Sequence, residues 1–482
     1  MLYDTDAQCE KIKKKMTREM GLGQSFDLGL RTLHLHGVEI NLYFVNGLAD
    51  TEQIIRLLGN LEIQQQMRKS PVFDLLYDRL THQQVTICHD FSKAMTDVLS
   101  GLICLVVDND QRFILIDVRQ YPGRNSEEPD TERVVRGSRD GFTENIIENT
   151  ALIRRRIRDP HLRHEIIKVG KRSKTDICLS YIEGLCDPDL IDIIKKELHM
   201  IEVDALPMAD KTLETYLVKQ GYNPFPLVRY SERPDVCSAH LFEGHLLIIV
   251  DTSPSVMIAP TTYFHHLQHA EEYRQSPFIG TFIRWIRFVG VFLSLFLVPV
   301  WYFFAENPQY TPAFLSFIGP QEEATLSLFI QLFLADMGIE FLRMAAIHTP
   351  TPLTTAMGLI AAVLIGQIAI DVGLFVPEVI LYISIASIGS YLTPSYELSI
   401  ANKVTRLILL MLTAWLNLVG LIGGIVGLFL FLVTTKTFHV PYLWPVIPFD
   451  WEMFKRLIFR TSKSNQHSRL KSIKRSISRS KK

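Results

Sequence analysis

One stretch of this 482-residue chain is almost free of charge, and it restricts the fold more than any other feature. Residues 284–450 hold only fifteen Asp, Glu, Lys and Arg, against 101 in the whole chain. Several runs inside this stretch are apolar over about 20 residues, the length that a helix needs to cross a bilayer about 30 Å thick. The sequence therefore predicts a polar first part followed by a helical membrane domain.

The polar first part carries the signals of an α/β region made of two subdomains. Apolar runs flank short polar turns at 102–118, around DNDQ, and at 246–259, around DTSP, and both patterns predict a β-hairpin. Pro and Gly at 122–129 interrupt the alternation of strands and helices and indicate a boundary. We therefore expect one cytoplasmic α/β subdomain at 1–130 and a second, with a linker helix, at 131–280.

The apolar second part, residues 281–450, predicts an all-α polytopic transmembrane bundle. Its segment 324–347 is apolar but contains Asp336, Glu340 and Arg343, and a charge at the middle of a bilayer costs about 2.5–3.5 kcal/mol on insertion scales. We expect this segment to lie at the interface, to re-enter the membrane or to be packed inside the bundle, and we do not count it as a complete span. The four expected spans are 285–305, 354–376, 378–394 and 404–434.

Basic residues determine the expected orientation. Arg284 and Arg287 precede the first span, and the basic tail at 451–482 holds eleven Lys or Arg after Glu452 without an acidic residue. Because cytoplasmic loops are enriched in positive charge, both ends are expected in the cytoplasm, which four spans satisfy. The six cysteines form no CxxC pair and no apolar run follows the basic N-terminal residues, so we expect reduced thiols and no signal peptide.

A polar stripe inside the second expected span is the first candidate site. Gln367 and Asp371 are four residues apart and continue one helical face through Met357 and Leu364, which predicts a pore-lining surface. Because a lone carboxylate in hydrocarbon is costly, Asp371 is expected to face water, a partner charge or a neighbouring subunit. The alternative is that Asp371, only six residues before Pro377, reaches the lipid headgroups.

The three charged residues of the segment 324–347 form the second candidate site. Asp336, Glu340 and Arg343 fall on one helical face, because spacings of four and seven residues return to nearly the same angle. One interpretation is a charged vestibule or gate. The other is a local pair between Glu340 and Arg343 at the level of the headgroups.

Glycines in the last expected span predict close helix packing. Gly420, Gly423, Gly424 and Gly427 make two overlapping GxxxG patterns. Small residues at this spacing let helix backbones approach each other, either within one chain or between subunits.

The sequence does not indicate nucleic-acid binding, catalysis or metal binding. The chain has 50 basic and 51 acidic residues, so its net charge is not that of a nucleic-acid-binding protein. The common motifs of nucleotide binding, zinc hydrolysis and serine hydrolysis do not occur in it. His265, His269 and Glu272 have a spacing compatible with a metal, but they directly precede the first span, where a solvated linker helix is expected. We expect no enzyme, metal, cofactor or nucleic-acid partner.

Three long stretches resemble a known family. VRGSRDGFTENIIENTALIRRRI at 135–157, SPFIGTFIRWIRFVG at 276–290 and MAAIHTPTPLTTAMGLIAAVLIGQIAIDVGLFVP at 344–377 are similar to the GerA family of spore germination A subunits. The resemblance extends from about residue 25 to residue 460. It implies a multi-pass protein of the spore inner membrane with both termini in the cytoplasm.

The same resemblance implies a function and partners. Family members are expected to assemble into a homo-oligomer, a pentameric ring, that releases monovalent cations early in germination. The implied partners are other germination membrane proteins and membrane lipid. One alternative is a non-conducting scaffold or signal-relay subunit of a germinant receptor complex. Another is a secondary transporter, although the apolar halves show no inverted repeat.

Overall fold

The chain folds into two compact units. The α/β unit consists of Met1–Lys219, Val228–Pro260 and Gln466–Lys482, and the helical unit consists of Gln220–Leu227 and Thr261–Asn465. The computed structural model describes residues 13–35, 38–50, 52, 56, 72–80, 82–108, 110–120, 132, 134, 136–218, 220–311, 317–322, 324–348 and 366–460.

The α/β unit is a tandem repeat of one topology. Each half contains a five-stranded antiparallel sheet in which the strands lie in the order first, second, fourth, fifth, third. The strands are β1 Leu28–Leu35, β2 Val38–Val45, β3 Val85–Cys88, β4 Ile103–Val107, β5 Phe113–Ile116, β6 Leu162–Val169, β7 Thr175–Ile182, β8 Arg229–Ser231, β9 Leu246–Val250 and β10 Val256–Ala259. The helices described with these sheets include α1 Val72–Arg79, α2 Phe91–Leu99, α3 Ile146–Arg156, α4 Pro188–His199, α5 Ala209–Val218 and α6 Pro234–Phe242. The α/β fold expected for this part of the chain is confirmed.

The two predicted hairpins lie inside these sheets. β4 pairs with β5 and β9 pairs with β10, both antiparallel, and every residue of the four strands is buried. A strand that is covered on both faces can be apolar throughout, which explains why these runs lack the alternation of a half-exposed strand. The hairpin predictions are confirmed.

Local signals start the helices. The side chain of Asp187 accepts a hydrogen bond from the backbone N–H of Asp189, and Pro188 occupies the first turn of α4. The side chain of Asn145 caps α3 in the same way, from the N–H of Ile147. Both arrangements satisfy an N–H group that has no partner inside the helix.

A buried ion pair joins the two halves of the α/β unit. The Nε of Arg154, in α3, donates to Oδ2 of Asp27 over 2.8 Å, and both side chains are buried. Burial raises the pKa of Asp27, but the charges of Arg154 and His164 outweigh this effect and lower the pKa to about 2. Arg154 is therefore held inside the α/β unit.

The helical unit contains two long apolar helices. Among the residues that the structure describes, α8 and α11 are long and apolar enough to cross a membrane. Ser276 caps α8 and Pro277 occupies its first turn. Among the described residues, the helices of this unit include α7 Ala270–Arg274, α8 Pro277–Glu306, α9 Leu328–His348, α10 Pro377–Tyr391, α11 Tyr396–Thr434 and α12 Trp451–Ile458.

α11 consists of two arms, 396–416 and 418–434, because the backbone turns sharply at Asn417 (φ 52°, ψ −132°). A straight helix of 39 residues would be about 58 Å long, almost twice the thickness of the hydrocarbon layer. Each arm alone is about 26–32 Å long. The sequence predicts one long tilted helix at 404–434, and the structure has a hairpin of two shorter helices.

Contacts at the ends of the arms demonstrate the reversal. At the turn, the side chains of Asn417 and Asn307 exchange two hydrogen bonds of 3.0 Å. Asn402, near the start of the first arm, lies beside the hydroxyl of Tyr263. Phe431, near the end of the second arm, packs on Phe225, which packs on Tyr263, with ring centroids 6.2 and 6.4 Å apart. We call the two ends of the bundle the Tyr263 end and the Asn307 end.

The other long helices run between the same two ends. α8 begins at the Tyr263 end, where Arg287 donates to the carbonyl of Leu267 over 3.1 Å, and it ends beside Asn307. α10 runs in the opposite direction. Tyr382 in its first half stacks on Trp301, near the end of α8, with centroids 4.6 Å apart.

α9 also runs from the Asn307 end to the Tyr263 end. Gln331 in its first turn accepts a hydrogen bond of 2.9 Å from the backbone N–H of Val376, directly before α10. Arg343, three turns later, donates to the hydroxyl of Ser399 at the start of the first arm of α11. α9 therefore packs on the bundle with one face, which buries Leu332 and Asp336, and leaves Leu334 and Phe341 exposed on the other.

Candidate functional site

The three charged residues of α9 belong to a larger cluster inside the bundle. Lys403 and Arg406, on the first arm of α11, face Asp336, Glu340 and Arg343. We call these five residues the ion cluster. It contains two acidic and three basic side chains, so its formal charge is +1.

Asp336 and Arg406 form the centre of the ion cluster. Nε of Arg406 donates to Oδ2 of Asp336 over 3.1 Å, and its NH2 group donates to Oδ1. The remaining NH1 group donates to the carbonyl oxygen of Ser294 in α8 over 2.8 Å. Both charged side chains are 1% exposed. One guanidinium therefore links α8, α9 and α11 through planar hydrogen bonds that lysine could not reproduce.

Lys403 connects this pair to Glu340. Its Nζ donates to the carbonyl oxygen of Asp336 over 2.9 Å and to Oε2 of Glu340 over 2.8 Å. Glu340 also accepts from Nε of Arg343 over 3.0 Å. The local pair between Glu340 and Arg343 that the sequence suggests is thus present, as one part of the cluster.

Burial makes these interactions sensitive to the loss of one partner. An ion removed from water loses several kcal/mol of solvation, which only close charges and hydrogen bonds can offset. The contacts of Arg406, Lys403 and Asp336 supply that compensation across three helices. The arrangement fixes how α8, α9 and α11 pack, and it could change only by a concerted exchange of partners.

Sequence reasoning missed Lys403 and Arg406. Lys403 directly precedes the last expected span and Arg406 is its third residue, and neither was associated with an acidic residue. The sequence does contain a signal for this cluster. Two acidic residues four positions apart on α9 can face two basic residues three positions apart on α11. Complementary charges at helical spacing on two apolar helices indicate a buried pair.

The predicted pore residues are partly described. Gln367 and Asp371 are both exposed in the single chain, and Met357 and Leu364 lie outside the described residues. Asp371 lies at the Asn307 end, just before Gly373, whose carbonyl accepts from the N–H of Thr325 over 3.1 Å. A pore-lining role for these residues stays a prediction.

The four glycines divide into two pairs with different surroundings. A Cβ added to Gly420 would lie 1.9 Å from the carbonyl oxygen of Leu412, and one added to Gly424 would lie 2.6 Å from the side chain of Leu409. Gly420 and Gly424 are therefore where the two arms of α11 touch. Added Cβ atoms at Gly423 and Gly427 meet no described atom within 4 Å.

The residues around the linker helix form a separate buried cluster. Glu272 is fully buried and accepts from Nε of Arg284 over 2.8 Å, and it also pairs with Arg287. His269 uses its side chain to cap α7. Both arginines pair with the carboxylate of Glu272. This carboxylate is therefore not available to bind a metal together with His265 and His269.

Three possible metal ligands lie together in the α/β unit. One ligand atom from each of His240, Glu243 and His245 falls within 4.8 Å of the others. Arg229 donates to Nε2 of His240 over 3.1 Å, which leaves the ring proton on Nδ1, facing Glu243. Nδ1 of His245 donates to the carbonyl of Pro260 over 2.8 Å. Hydrogen bonds and a neighbouring guanidinium thus orient this group, and they disfavour a divalent ion.

Comparison with known proteins identifies the family. Residues 14–472 match the family model described as Bacillus/Clostridium GerA spore germination protein. The chain belongs to the GerA family of spore germination proteins. The resemblance seen in the sequence is confirmed.

Individual members of the GerA family agree with this assignment. Stage V sporulation protein AF of Bacillus subtilis (strain 168) is 53% identical over 464 residues, which cover 96% of this chain and 94% of that protein. Within the family, the sequence of the stretches 228–256 and 264–275 predicts a likeness to that protein. Spore germination protein KA of the same strain is 28% identical over 448 residues, which cover 91% of this chain and 82% of that protein.

A solved structure also matches part of this chain. The crystal structure of the N-terminal domain of the A subunit of the Bacillus megaterium spore germinant receptor GerK3 is 25% identical in sequence, with a TM-score of 0.40. The alignment covers 52% of this chain and 93% of that chain.

Proposed function

We propose that this GerA-family chain is a membrane subunit of a spore germination complex, and that its copies assemble into a channel releasing monovalent cations. The observation that supports it most is the exposure of Gln367 and Asp371 beside the exposed apolar side chains of Ile368 and Val372. A carboxylate is unfavourable against lipid, so this surface is expected to border water once the subunits assemble. Rings of acidic side chains favour cations in such a path.

The bundle geometry supports a revised membrane topology. α9 ends at the Tyr263 end and residues 366–376 lie at the Asn307 end, which agrees with the span expected at 354–376, whose first part lies outside the described residues. With α8, α9, α10 and the two arms of α11, this gives six crossings in place of the four that hydropathy predicts. Six crossings also leave both termini on one side. Arg284 and Arg287 favour the cytoplasm for the Tyr263 end.

Cysteine labelling separates six crossings from four. Glu397 and Gln309 are both exposed in the single chain, and six crossings put Glu397 inside and Gln309 outside. We expect a membrane-impermeant maleimide added to intact cells to label Gln309→Cys and to label Glu397→Cys only after permeabilisation. The parent protein, whose five described cysteines are buried, is the blank. Outside labelling of both variants would favour four spans.

The open face of the second arm supports assembly. Gly423 and Gly427 are four residues apart and exposed in the single chain, together with Val419, Ile422 and Val426. A small-xxx-small pattern on a helix surface lets a second helix approach closely. We propose that this face contacts a second copy of the chain.

Ion selectivity tests the pore assignment. We expect purified wild-type protein in liposomes to conduct monovalent cations, and Asp371→Asn to lower the cation-over-anion preference about two-fold or more without preventing assembly. The measurement is the reversal potential in asymmetric salt. Glu397→Gln, which removes an exposed carboxylate at the other end of the bundle, is the matched control and should leave selectivity unchanged.

The same recordings test the alternatives. Equal reversal potentials for wild type and Asp371→Asn would remove this residue from the conduction path while leaving the channel proposal in place. Absence of conductance from an assembled wild-type protein would favour the non-conducting scaffold or signal-relay subunit.

A further inference from the structure

A short segment inside the α/β sequence belongs to the helical unit. Residues Gln220–Leu227 are part of that unit, whereas the chain up to Lys219 and from Val228 to Pro260 is part of the α/β unit. We call Gln220–Leu227 the strap. α5 ends at Val218 on one side of it, and β8 begins at Arg229 on the other. Each end of the strap therefore lies within two residues of an element of the α/β unit.

One aromatic side chain anchors the strap. Phe225 is 1% exposed, and its ring lies near three other rings at centroid distances of 6.4, 6.2 and 6.5 Å, those of Tyr263, Phe431 and Tyr442. These distances are in the range of favourable aromatic contacts. Tyr222, on the same strap, is fully exposed. Phe225 is therefore the ring that holds the strap in the helical unit.

Hydrogen bonds join the second half of the strap to the residues that follow α11. The hydroxyl of Tyr442 donates to the carbonyl oxygen of Pro226 over 2.8 Å, and that of Thr261 donates to the carbonyl oxygen of Leu227 over 3.0 Å. Both donor residues are fully buried. The backbone N–H of Tyr442 donates to the carbonyl oxygen of Thr435 over 3.0 Å. Thr435 directly follows the second arm, so the strap and the end of that arm share one partner.

Hydrogen bonds within the strap give it a fixed shape. Nε2 of Gln220 donates to the carbonyl oxygens of Asn223 and Phe225 over 3.0 and 3.1 Å. The backbone N–H of Phe225 donates to Oδ1 of Asn223 over 3.0 Å, which is an Asx turn. The first residue of the strap is thus linked to its anchor. A displacement of Gln220 is therefore passed on to Phe225.

A buried hydrogen bond joins the two elements that flank the strap. The hydroxyl of Tyr230, in β8, donates to Oε2 of Glu214, in α5, over 2.9 Å. Glu214 is 3% exposed, and Lys211 is a second partner of its carboxylate. A carboxylate that has lost its water depends on such donors. The spacing between the two ends of the strap thus depends on the contact between Tyr230 and Glu214.

We propose that the strap transmits a rearrangement of α5 and β8 to the second arm of α11. A change in the contact between Tyr230 and Glu214 moves the ends of the strap, and Phe225 passes this movement to the last turn of the second arm. The same arm bears the open GxxxG face that is proposed above to contact a second copy of the chain. The transmission itself requires neither that contact nor ion conduction.

Hydrogen–deuterium exchange of the full-length protein in detergent micelles tests the anchor. Phe225→Ala should raise the exchange rate of peptides covering 435–445 about ten-fold or more, because the lost ring leaves Tyr442 less well packed. Phe225→Leu, which keeps an apolar side chain, should raise it less. Tyr222→Ala removes an exposed ring from the same strap and is the control, with no change expected. Unchanged exchange in Phe225→Ala would show that this ring does not hold the strap.

The variant Tyr230→Phe tests the transmission. It removes one hydroxyl from the contact between β8 and α5 and alters no residue of the helical unit. We expect it to raise the exchange rate of the peptides covering 435–445 about three-fold or more. Six-residue Gly-Ser insertions at both ends of the strap, after Val218 and after Leu227, should abolish this rise, because flexible residues do not pass on a displacement. The same insertion after Gly184, in the exposed turn between β7 and α4, is the control and should preserve the rise.

Each insertion is compared with and without Tyr230→Phe, and three results would overturn the transmission. No rise in Tyr230→Phe would show that the contact between α5 and β8 does not reach the second arm. A rise that survives both insertions would assign the effect to another route. An equal rise in all peptides, those of β4 included, would indicate general destabilisation. None of these results depends on whether the protein conducts ions.

Discussion

Replacing Arg406 with leucine is expected to lower the free energy of unfolding of the helical unit by about 3 kcal/mol. The substitution leaves the carboxylate of Asp336 buried without its bidentate partner and the carbonyl of Ser294 without a donor. Removing one member of a buried ion pair costs about 3–5 kcal/mol. The lower end applies here because Nζ of Lys403 stays 3.3 Å from Asp336 Oδ1.

Unfolding of the full-length protein in mixed detergent micelles, followed by tryptophan fluorescence, measures this change. The double variant Asp336→Leu/Arg406→Leu should recover most of the lost stability, because it removes both buried charges. Arg343→Leu is the control and should cost less than about 1 kcal/mol, since Lys403 still compensates Glu340. Equal losses in the single and double variants would contradict an ion pair between Asp336 and Arg406.

The sequence alone was sufficient to assign the α/β region, its two central hairpins and the family. These features depend on local patterns, such as an apolar run that ends in a polar turn, or on long similar stretches. It did not reveal that the two halves of the α/β unit share one strand order. Strand order depends on pairing between distant segments, such as β2 with β4 and β7 with β9, and no local periodicity encodes that pairing.

In the helical unit as well, local patterns predicted the helices but not the contacts between segments that are distant in the sequence. Hydropathy predicted apolar helices but treated 404–434 as one span, because an apolar run does not indicate where a chain reverses. The reversal at Asn417 is stabilised by Asn307, which is 110 residues away in the sequence. The charges of α9 were predicted to lie at the interface or inside the bundle, but their partners were not predicted, because Lys403 and Arg406 come from another helix.

The glycines of α11 allow contacts within one chain to be distinguished from contacts between chains. We expect Gly420→Ile to destabilise the helical unit by about 3 kcal/mol or more and Gly423→Ile to leave it folded. A Cβ at Gly420 would lie 1.9 Å from the backbone oxygen of Leu412, which cannot move without separating the two arms. Overpacking of this kind costs about 1–3 kcal/mol where only side chains must shift, and more where the backbone is involved.

The two variants introduce the same side chain at positions with different neighbours, so each is the control for the other. Both replace a helical glycine by the same β-branched residue, and their effects on helix propensity are equal. Gly423→Ile should instead reduce the oligomer in detergent, because a branched side chain on an open GxxxG face keeps a second helix at a distance. The measurements are thermal unfolding and the mass distribution of the purified protein. A folded Gly420→Ile protein would contradict the hairpin. An unchanged mass distribution for Gly423→Ile would remove this face from the subunit contact, while leaving the fold of the chain as described.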